Sequence, residues 1–504
     1  MTSRFVITTS IAILCVAAIP FSMTCGQDFP DKQHDVSPSA SFYDPQVVQE
    51  IRLDIAPQHR KKMLDALPKT VYVPATFRWG KLTVENVAVR FKGNSSSQPN
   101  QKHKRSYLVR FDKYDKEKRF LGLQRVSFDN GVQFGSLFSE VIITDILRRE
   151  GVTTHRCNFA KIILNGEFHG VFVNVERIDN TFLTSRYQNN DGPLYKVDLG
   201  GPGCDLRFIG DEPAAYQQAF EAKNDAAADE REKLVDFIRL INHADAQSFE
   251  KQFATRFNVD DFLKTTSVML LSGAFDQLTG WNAHNYYFYF DQATGRWQYL
   301  PWDLDVGFCE TAFGRIHVLR DWNAAWPVPI TSNGSPLLER IISQPELLAR
   351  YRKTAERILH DHFDPKKLSA LIDEKYALVK NDLEKDPFPH QRVTVPTDRS
   401  YDEIVASLKD FVRKRFPSAR EQLQNPGPRP KSRRMESSSQ RMTPELQAII
   451  REVHQGAERI RQANGDLRPL HEIMQHVGPL LEAGKTDEAK KRLVQALKIV
   501  RAQK

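Results

Sequence analysis

Strand-like alternation of apolar and polar residues marks the first third of the chain. Five segments there either alternate with a period of two or are rich in β-branched and aromatic residues, which is typical of strands. They cover residues 71–77, 87–91, 107–111, 161–164 and 171–175. The Asn165-Gly166 pair between the last two segments is typical of a tight hairpin turn. This pattern predicts an antiparallel sheet.

Helical periodicity appears once among these strands and then dominates the chain. Residues 136–150 present a broad apolar surface and are followed by Gly151, a residue typical of helix ends. After residue 230 we predict one hairpin, between Asn285 and Pro301, and five further helices. These helices cover residues 230–241, 260–275, 336–360, 366–384 and 400–414. The chain is therefore predicted to have an α+β fold, with a small antiparallel β-rich lobe before a larger, mainly helical lobe.

The two ends of the chain differ from the predicted folded body. Residues 1–26 place a basic residue before a short apolar run, the arrangement of an export signal. Residues 27–44 are polar and predict a flexible leader, so we expect the folded body to cover residues 45–424. A basic, proline-rich linker at 425–442 leads into a small helical tail at 443–504. We expect no transmembrane span after signal removal, because no later segment approaches ~20 continuous apolar residues.

The export signal predicts a periplasmic, cell-surface or extracellular location. Cys25 stands where a lipoprotein signal places its lipidated cysteine, but Ser22-Met23-Thr24 is a poor match to the small-residue approach of such a site. Lipid anchoring is therefore the less favoured alternative. The cysteines beyond this region are sparse and irregularly spaced, so the sequence does not predict a disulfide framework.

Positive charge is concentrated near the C-terminus. The chain of 504 residues has a formal net charge of +8, and from Pro426 onward 16 lysines and arginines face 9 acidic residues. The rest of the chain is therefore nearly neutral. Nucleic-acid-binding domains carry basic residues clustered on a folded surface, whereas this surplus falls in the linker and the tail. We expect no specific nucleic-acid partner, and the tail is a candidate for binding a protein.

Candidate chemistry is densest around the predicted hairpin. If Thr294 lies at its tip, equal counting places Asn285 opposite Asp303, beside Asp276 at the end of the preceding helix. Amide and carboxylate oxygens suit Mg²⁺, and a separate carboxylate can orient a hydroxyl nucleophile. These groups are the minimum for phosphoryl transfer. The alternative is purely structural, because Asp and Asn are common in turns and helix caps.

A second candidate cluster lies between two predicted strands. Lys92-Gly93-Asn94-Ser95-Ser96 forms a loop whose backbone amides can cover phosphates, and Lys104 lies where the next strand begins. A lysine there would neutralise phosphate charge and could be held by an ion pair with Glu140 on the inserted helix. The choice between Lys104 and its basic neighbours stays open, and a solvated polar loop is the structural alternative.

Several separated motifs resemble the spore-coat protein H (CotH) kinase family, in the family's order, over roughly residues 45–420. The motifs are Lys92-Gly93-Asn94-Ser95-Ser96, Lys104-Arg105-Ser106-Tyr107, Asn165-Gly166-Glu167-Phe168-His169-Gly170, Val175-Glu176 and Pro301-Trp302-Asp303-Leu304-Asp305. The resemblance implies an atypical protein-kinase-like, two-lobe fold that binds ATP together with Mg²⁺ or Mn²⁺. It also implies phosphate transfer to serine or threonine of protein substrates.

The resemblance implies roles for individual residues near the hairpin. Asp276 would be the catalytic aspartate, Asn285 a metal-side amide and Asp303 the principal metal ligand. Asp305 would be a secondary candidate for the metal. The stretch from Asp276 to Asn285 is longer than the family's usual connection, so the exact alignment of the catalytic loop stays open.

On the nucleotide side, the resemblance implies that Lys104 is the phosphate-binding lysine and pairs with Glu140. Glu176 is a secondary candidate on this side, together with the loop that begins at Lys92 and Gly93. Lys92 is itself a departure, because the family often has arginine at this position.

Two other functions compete with a kinase. Asp303-Leu304-Asp305 after a strand is also how haloacid-dehalogenase phosphatases present their nucleophile, but their doubly wound sheet requires alternating strands and helices. The chain after Phe308 is almost wholly helical, which disfavours that class. The more serious alternative is a non-catalytic nucleotide-binding or scaffold protein of the cell envelope. The joint presence of Asp276, Asn285 and Asp303 favours catalysis over that alternative.

Overall fold

The computed structural model describes residues 37–430 and 444–502, with short gaps in both ranges. The gaps fall at 94–96, 132–134, 199, 281–282, 313–315, 328–334, 389, 391, 393, 396–399, 463–465, 468, 471–472, 475–476, 478–479 and 481–485. The predicted export signal, Cys25, most of the leader and linker, and Asn94, Ser95 and Ser96 lie outside the described residues. No helix of the described part carries an apolar stretch of the length needed to cross a bilayer.

The first part of the described chain is a closed β-barrel of seven strands. The strands are β1 Gln49–Asp54, β2 Val73–Trp79, β3 Leu82–Lys92, β4 Ser106–Arg110, β5 Arg125–Asp129, β6 Cys157–Leu164 and β7 Glu167–Val175. Their order around the barrel is β1-β2-β3-β4-β5-β7-β6. β1 pairs antiparallel with β2 and parallel with β6, and the parallel pair closes the barrel. Two helices accompany these strands, α1 Pro57–Asp65 and α2 Ser139–Arg149.

Aromatic side chains fill the inside of the barrel. The rings of Phe77, Phe111 and Phe120 lie with centroids 4.9 to 5.3 Å apart. Phe42 and Tyr43, from the segment before β1, are buried in the same core. The packed chain therefore begins before residue 45, where we expected the folded body to start.

The five predicted strand segments all overlap observed strands, and the mixed α+β class is confirmed. The sheet was predicted as five antiparallel strands, and this is wrong in two respects, because β1 and β5 were missed and the β1–β6 pair is parallel. β1 has only two strongly apolar residues, Ile51 and Leu53, and β5 is only five residues long. Such short patterns carry too little periodicity to be recognised.

The predicted hairpin belongs to a second, four-stranded sheet. Its strands are β8 Leu194–Val197, β9 Glu221–Ala222, β10 Tyr286–Asp291 and β11 Arg296–Pro301, in the order β11-β10-β8-β9. Phe288 and Trp297 stack across the hairpin with ring centroids 4.8 Å apart. A short two-stranded ladder follows, formed by β12 Thr311–Ala312 and β13 Ile316–His317.

Helices make up most of the remaining body. They are α3 Asn180–Arg186, α4 Asp225–Asp229, α5 Arg231–His243, α6 Ala246–Arg256, α7 Val259–Ser272, α8 Val318–Asp321, α9 Pro336–Ser343, α10 Pro345–His362, α11 Pro365–Leu383 and α12 Tyr401–Gln424. Helix α2 contacts both β6 of the barrel and α7. It therefore joins the barrel to the helical part and brings its own first turn to the boundary between them.

Each predicted helix of the body overlaps an observed helix, with two corrections. Residues 336–360 form two helices, because Gln344 is extended before Pro345, as residues that precede proline tend to be. The helix predicted at 400–414 continues to Gln424 with Pro417 inside it. Helix α6 and the shorter helices α1, α3, α4 and α8 were not predicted.

The described part of the tail contains two longer helices, α13 Pro444–Gln462 and α14 Thr486–Ala502. Apolar side chains of both helices pack together in two small clusters. Leu446 packs with Ala489 and Leu493 in one of them, and Val453 packs with Val500 in the other. The tail is therefore helical, as predicted, and buries apolar residues of its own.

Candidate active site

The β10–β11 hairpin fixes the positions of Asn285 and Trp302. Tyr286 pairs with Pro301, so Asn285 faces Trp302 and accepts a hydrogen bond from the Trp302 amide at 3.0 Å. The prediction that Asn285 lies opposite Asp303 is wrong by one residue, because the turn is centred between Ala293 and Thr294 rather than on Thr294. Asp303 follows as the next residue beyond the ladder.

Asn285 and Asp303 both have left-handed backbone conformations, with φ of +59° and +58°. Asn and Asp tolerate this region better than other residues with a Cβ atom. Backbone of this kind, where two neighbouring segments leave a sheet, is frequent at functional sites. At Asp303 it marks the point where the chain turns out of β11.

Asp276 and Asn285 are brought together, as the sequence predicted. The Asn285 side-chain amide donates to the Asp276 carbonyl oxygen at 3.0 Å and to its Oδ2 at 3.2 Å. His284 Nε2 lies 3.4 Å from Asp276 Oδ1. The Asp276 carboxylate is therefore contacted on both oxygens, by His284 on Oδ1 and by Asn285 on Oδ2.

Three carboxylates converge near the end of the hairpin. Asp129 ends β5, Glu140 lies in the first turn of α2, and Asp303 follows β11. One carboxylate oxygen from each lies within 4.8 Å of the other two. Carboxylate oxygens are the hard donors that Mg²⁺, Mn²⁺ and Ca²⁺ prefer. The donor set therefore fits a divalent cation.

The electrostatics of the cluster also fit a cation. Burial, together with the charges of Glu140 and Asp129 and against the opposing effect of Lys92, raises the pKa of Asp303 to about 7. Burial, followed by the charges of Asp303 and Glu140, raises the pKa of Asp305 well above its usual value. Several acidic groups crowded out of water are stabilised as anions only by a compensating positive charge. Asp305 is thus part of the same electrostatic cluster.

Sequence reasoning missed Asp129. It accepts from Lys92, whose Nζ lies 2.5 Å from Oδ1 and 2.6 Å from Oδ2. Lys92 is the last residue of β3, and Gly93 after it has a φ of +97° that favours glycine. The signal available in the sequence was a short apolar run that ends in Asp129-Asn130-Gly131, a carboxylate at the start of a turn.

The predicted ion pair between Lys104 and Glu140 is wrong. Lys104 Nζ lies 2.6 Å from Asp386 Oδ2, and neither side chain has any exposure. Glu140 Oε1 instead accepts from His155 Nε2 at 3.1 Å. The reason is the closed barrel, in which the start of β4 packs against the segment after α11 and not against α2.

Glu176 belongs to a different network. It accepts from Arg156 and Arg186, each at 2.6 Å, and also from the Arg156 backbone amide at 2.9 Å. These contacts tie Glu176 to a polar cavity that is lined partly by Ser39 and Thr181. The structure does not bring it into contact with the three converging carboxylates.

Two further residues hold the Asp303–Asp305 segment in place. The Gln277 side-chain amide donates to the carbonyl oxygens of Trp302 and Asp303 at 3.0 and 3.2 Å. Gly135 lies so close that an added Cβ would be 1.6 Å from the Asp305 carbonyl oxygen. The segment before α2 and the loop after α7 therefore both contact the backbone that carries Asp303 and Asp305.

Two comparisons with known proteins bear on these residues. A family model described as CotH kinase protein matches residues 89–418. Inner spore coat protein H of Bacillus subtilis (strain 168) is 23% identical over 308 residues, which cover 61% of this chain and 81% of that protein. Lys92, Asp129, Glu140, Asp276 and Asp303 all fall inside the range that the family model matches.

Proposed function

Because this chain belongs to the CotH kinase protein family, we propose that it is an atypical protein kinase that transfers phosphate from ATP to serine or threonine hydroxyls of exported or surface proteins. The observation that carries the proposal is the convergence of Asp129, Glu140 and Asp303, with Lys92 beside them. Phosphoryl transfer depends on positioning and on neutralising phosphate charge. This cluster offers carboxylates for a metal and a lysine for phosphate.

In this proposal Asp129, Glu140 and Asp303 would hold Mg²⁺ or Mn²⁺, with Asp305 behind them in the same acidic cluster. Such a cation, when bound, neutralises charge on phosphate oxygens. We assign phosphate neutralisation on the protein side to Lys92, because Lys104 is fully buried against Asp386.

Asp276 is the residue that we assign to the acceptor hydroxyl. Its carboxylate is oriented by Asn285 at 3.2 Å and by His284 at 3.4 Å. An oriented carboxylate can accept the hydroxyl proton as the hydroxyl oxygen bonds to the terminal phosphorus and the bond to the departing diphosphate breaks. Asn285 is thereby assigned a positioning role, in addition to the metal-side role that the family resemblance implies.

The barrel and the helical part correspond, in this proposal, to the two lobes of a kinase-like fold. The barrel supplies Lys92 and Asp129, α2 supplies Glu140, and the hairpin supplies Asp303. Ligand sites often lie between two structural units. The loop that begins at Gly93 would cover the phosphates from the barrel side.

A surface or coat location is part of the same proposal. The Bacillus subtilis relative is named an inner spore coat protein, and residues 1–26 have the pattern of an export signal. Substrates would then be exported or surface proteins with serine or threonine acceptors. The helical tail would bind a protein partner.

The test is transfer of label from γ-labelled ATP to a protein acceptor by the purified protein, with Mg²⁺ or Mn²⁺ added after chelation. We expect metal-dependent transfer, and a loss of ~100-fold or more in kcat for Asp276→Asn, the scale of general-base catalysis. Asp236→Asn is the matched control, because Asp236 is an exposed acid on α5. Full transfer by Asp276→Asn contradicts its role, and absence of both transfer and ATP binding in the unmodified protein favours a scaffold.

A further inference from the structure

Three basic side chains gather on the ring of Trp302, the residue before Asp303. Lys92 Nζ lies 5.7 Å from the ring centroid, Arg177 Cζ 4.6 Å and Lys196 Nζ 5.7 Å. They come from three separate segments: the end of β3, the residues after β7, and β8. Cations lie favourably over an aromatic face within about 6 Å of the ring centroid, and three of them on one ring bring positive charge together at a single place.

These cations are close enough to oppose one another. Burial lowers the pKa of Lys196, and the charges of Arg177 and Lys92 lower it further, against the effect of Asp198. Lys196 Nζ lies 2.6 Å from Asp198 Oδ1. An anion placed among the three cations would offset the repulsion that Arg177 and Lys92 exert on Lys196.

The Arg177 side chain has an unsatisfied hydrogen-bond donor within the described part of the chain. One of its terminal nitrogens donates to the Tyr287 hydroxyl at 3.3 Å. Its Nε is buried and has no hydrogen-bond partner among the described residues. A buried donor without an acceptor is costly, and arginine is the side chain best suited to bind phosphate through several parallel hydrogen bonds.

The cluster can be reached from solvent and lies beside the acidic cluster. The side chains of Lys92 and Lys196 are 15% and 9% exposed, and Asp198, the ion-pair partner of Lys196, is 44% exposed. Lys92 also contacts Asp129, and Trp302 directly precedes Asp303. An anion held by the three cations would therefore border the carboxylates that fit a divalent cation.

We infer that Lys92, Arg177 and Lys196 form a subsite for the phosphate chain of a nucleoside triphosphate. The inference rests on the proposed function for the nucleoside, but the subsite itself recognises a linear polyphosphate. An anion that engages Lys92 draws it away from Asp129 and leaves both oxygens of that carboxylate for a metal. Polyphosphate and metal should therefore each raise the affinity of the site for the other, as linkage requires.

The test uses inorganic tripolyphosphate as the probe, titrated calorimetrically into the full chain with and without Mn²⁺. We expect binding by the unmodified protein, and affinity lowered roughly tenfold or more in Arg177→Gln and in Lys196→Met, the range of a hydrogen bond to a charged group. Arg239→Gln is the matched control, because Arg239 lies on the surface of α5 and its ion-pair partners, Asp211 and Asp236, are exposed. Absence of tripolyphosphate binding, or unchanged affinity in both variants, overturns the inference.

Two checks keep the result unambiguous. Circular dichroism establishes that each variant is folded, and Arg177→Lys, which retains the charge, should keep more affinity than Arg177→Gln. If tripolyphosphate binding depends on Arg177 and Lys196 but no label is ever transferred from ATP, the kinase proposal fails and the subsite stands. If label is transferred and both variants keep the KM for ATP, the subsite fails and the kinase proposal stands.

Discussion

At the scale of single residues, the direction of the Glu140 carboxylate depends on a buried histidine. His155 Nε2 donates to Glu140 Oε1, and the other ring nitrogen lies 3.4 Å from the Thr154 hydroxyl. The same ring meets Trp302 edge to face at a centroid distance of 5.3 Å. His155 thereby connects Glu140 with the residue that precedes Asp303, although His155 itself is not one of the candidate metal ligands.

Replacing His155 should weaken metal binding. His155→Phe keeps the ring and removes the hydrogen bond, and we expect Mn²⁺ affinity to fall ~10–100-fold, the usual effect of losing a partner that orients a metal ligand. His155→Gln, which can still donate to Glu140, should lose less. Titration of Mn²⁺ followed by electron paramagnetic resonance measures both variants. Wild-type affinity in a folded His155→Phe protein would contradict the orienting role.

Asp303 should give the metal-free protein a characteristic pH dependence. Its pKa is raised by burial to about 7, whereas an unfolded aspartate titrates near 4. Between these values the folded protein binds the extra proton, so the free energy of unfolding should fall as pH rises from about 4 to about 7. Urea unfolding across this range should show a smaller fall for Asp303→Asn. Equal falls in the variant and the unmodified protein would contradict the raised pKa.

At the scale of secondary-structure elements, Lys104 and Asp386 join the barrel to the segment after α11. Asp386 Oδ2 also accepts from the Val171 amide of β7 at 3.0 Å, and Oδ1 accepts from the Phe388 amide at 3.1 Å. An added Cβ at Gly170 would lie 2.8 Å from Asp386 Oδ2. The Asp386 carboxylate therefore holds the segment after α11 closely against the barrel.

Breaking this pair should reduce stability without affecting nucleotide binding. Lys104→Met leaves the buried Asp386 charge uncompensated, a change that costs about 3–5 kcal/mol. Adding Asp386→Asn should restore part of that loss, because the buried charge is removed. Urea unfolding gives the stabilities, and calorimetry at a temperature where all variants are folded gives ATP affinity. A stable Lys104→Met protein that no longer binds ATP would contradict this purely structural role and would indicate that Lys104 binds phosphate.

Local elements of this fold could be predicted from the sequence, but contacts between distant segments could not. Most of the longer helices and strands were predicted in nearly their observed places, as were the hairpin and the position of Asp276 beside Asn285. Closure of the barrel could not be predicted, because the parallel pairing of β1 with β6 joins residues more than a hundred positions apart. Without that closure nothing in the sequence indicates that Lys104 faces Asp386.

The same reasoning applies to the metal cluster. Asp303 was predicted as a metal ligand because it stands in a motif, whereas Glu140, on a well-patterned helix, was predicted only as the partner of Lys104. Asp129 ends a strand too short to be recognised, so its place beside Asp303 depends on the folded barrel. The one-residue error opposite Asn285 arose from the turn, whose centre could not be fixed by counting alone.

At the scale of the whole molecule, the candidate site exists only where three structural units meet. The barrel contributes Lys92 and Asp129, α2 contributes Glu140, and the second sheet leads into Asp303. Changes that shift the barrel relative to the helical part should therefore affect the cation site before they affect either core. Family membership covers this whole region, since the matched residues run from 89 to 418.

The most direct test of this account is the Mn²⁺ dependence of label transfer from γ-labelled ATP by Asp129→Asn. Asp129 was identified from the folded structure and not from a motif, so it tests the assembled site itself. We expect the variant to need at least ~10-fold more Mn²⁺ for half-maximal transfer, or to lose transfer, because a direct ligand should matter no less than the partners that orient ligands. Transfer with the same Mn²⁺ dependence as the unmodified protein would contradict the proposed metal site.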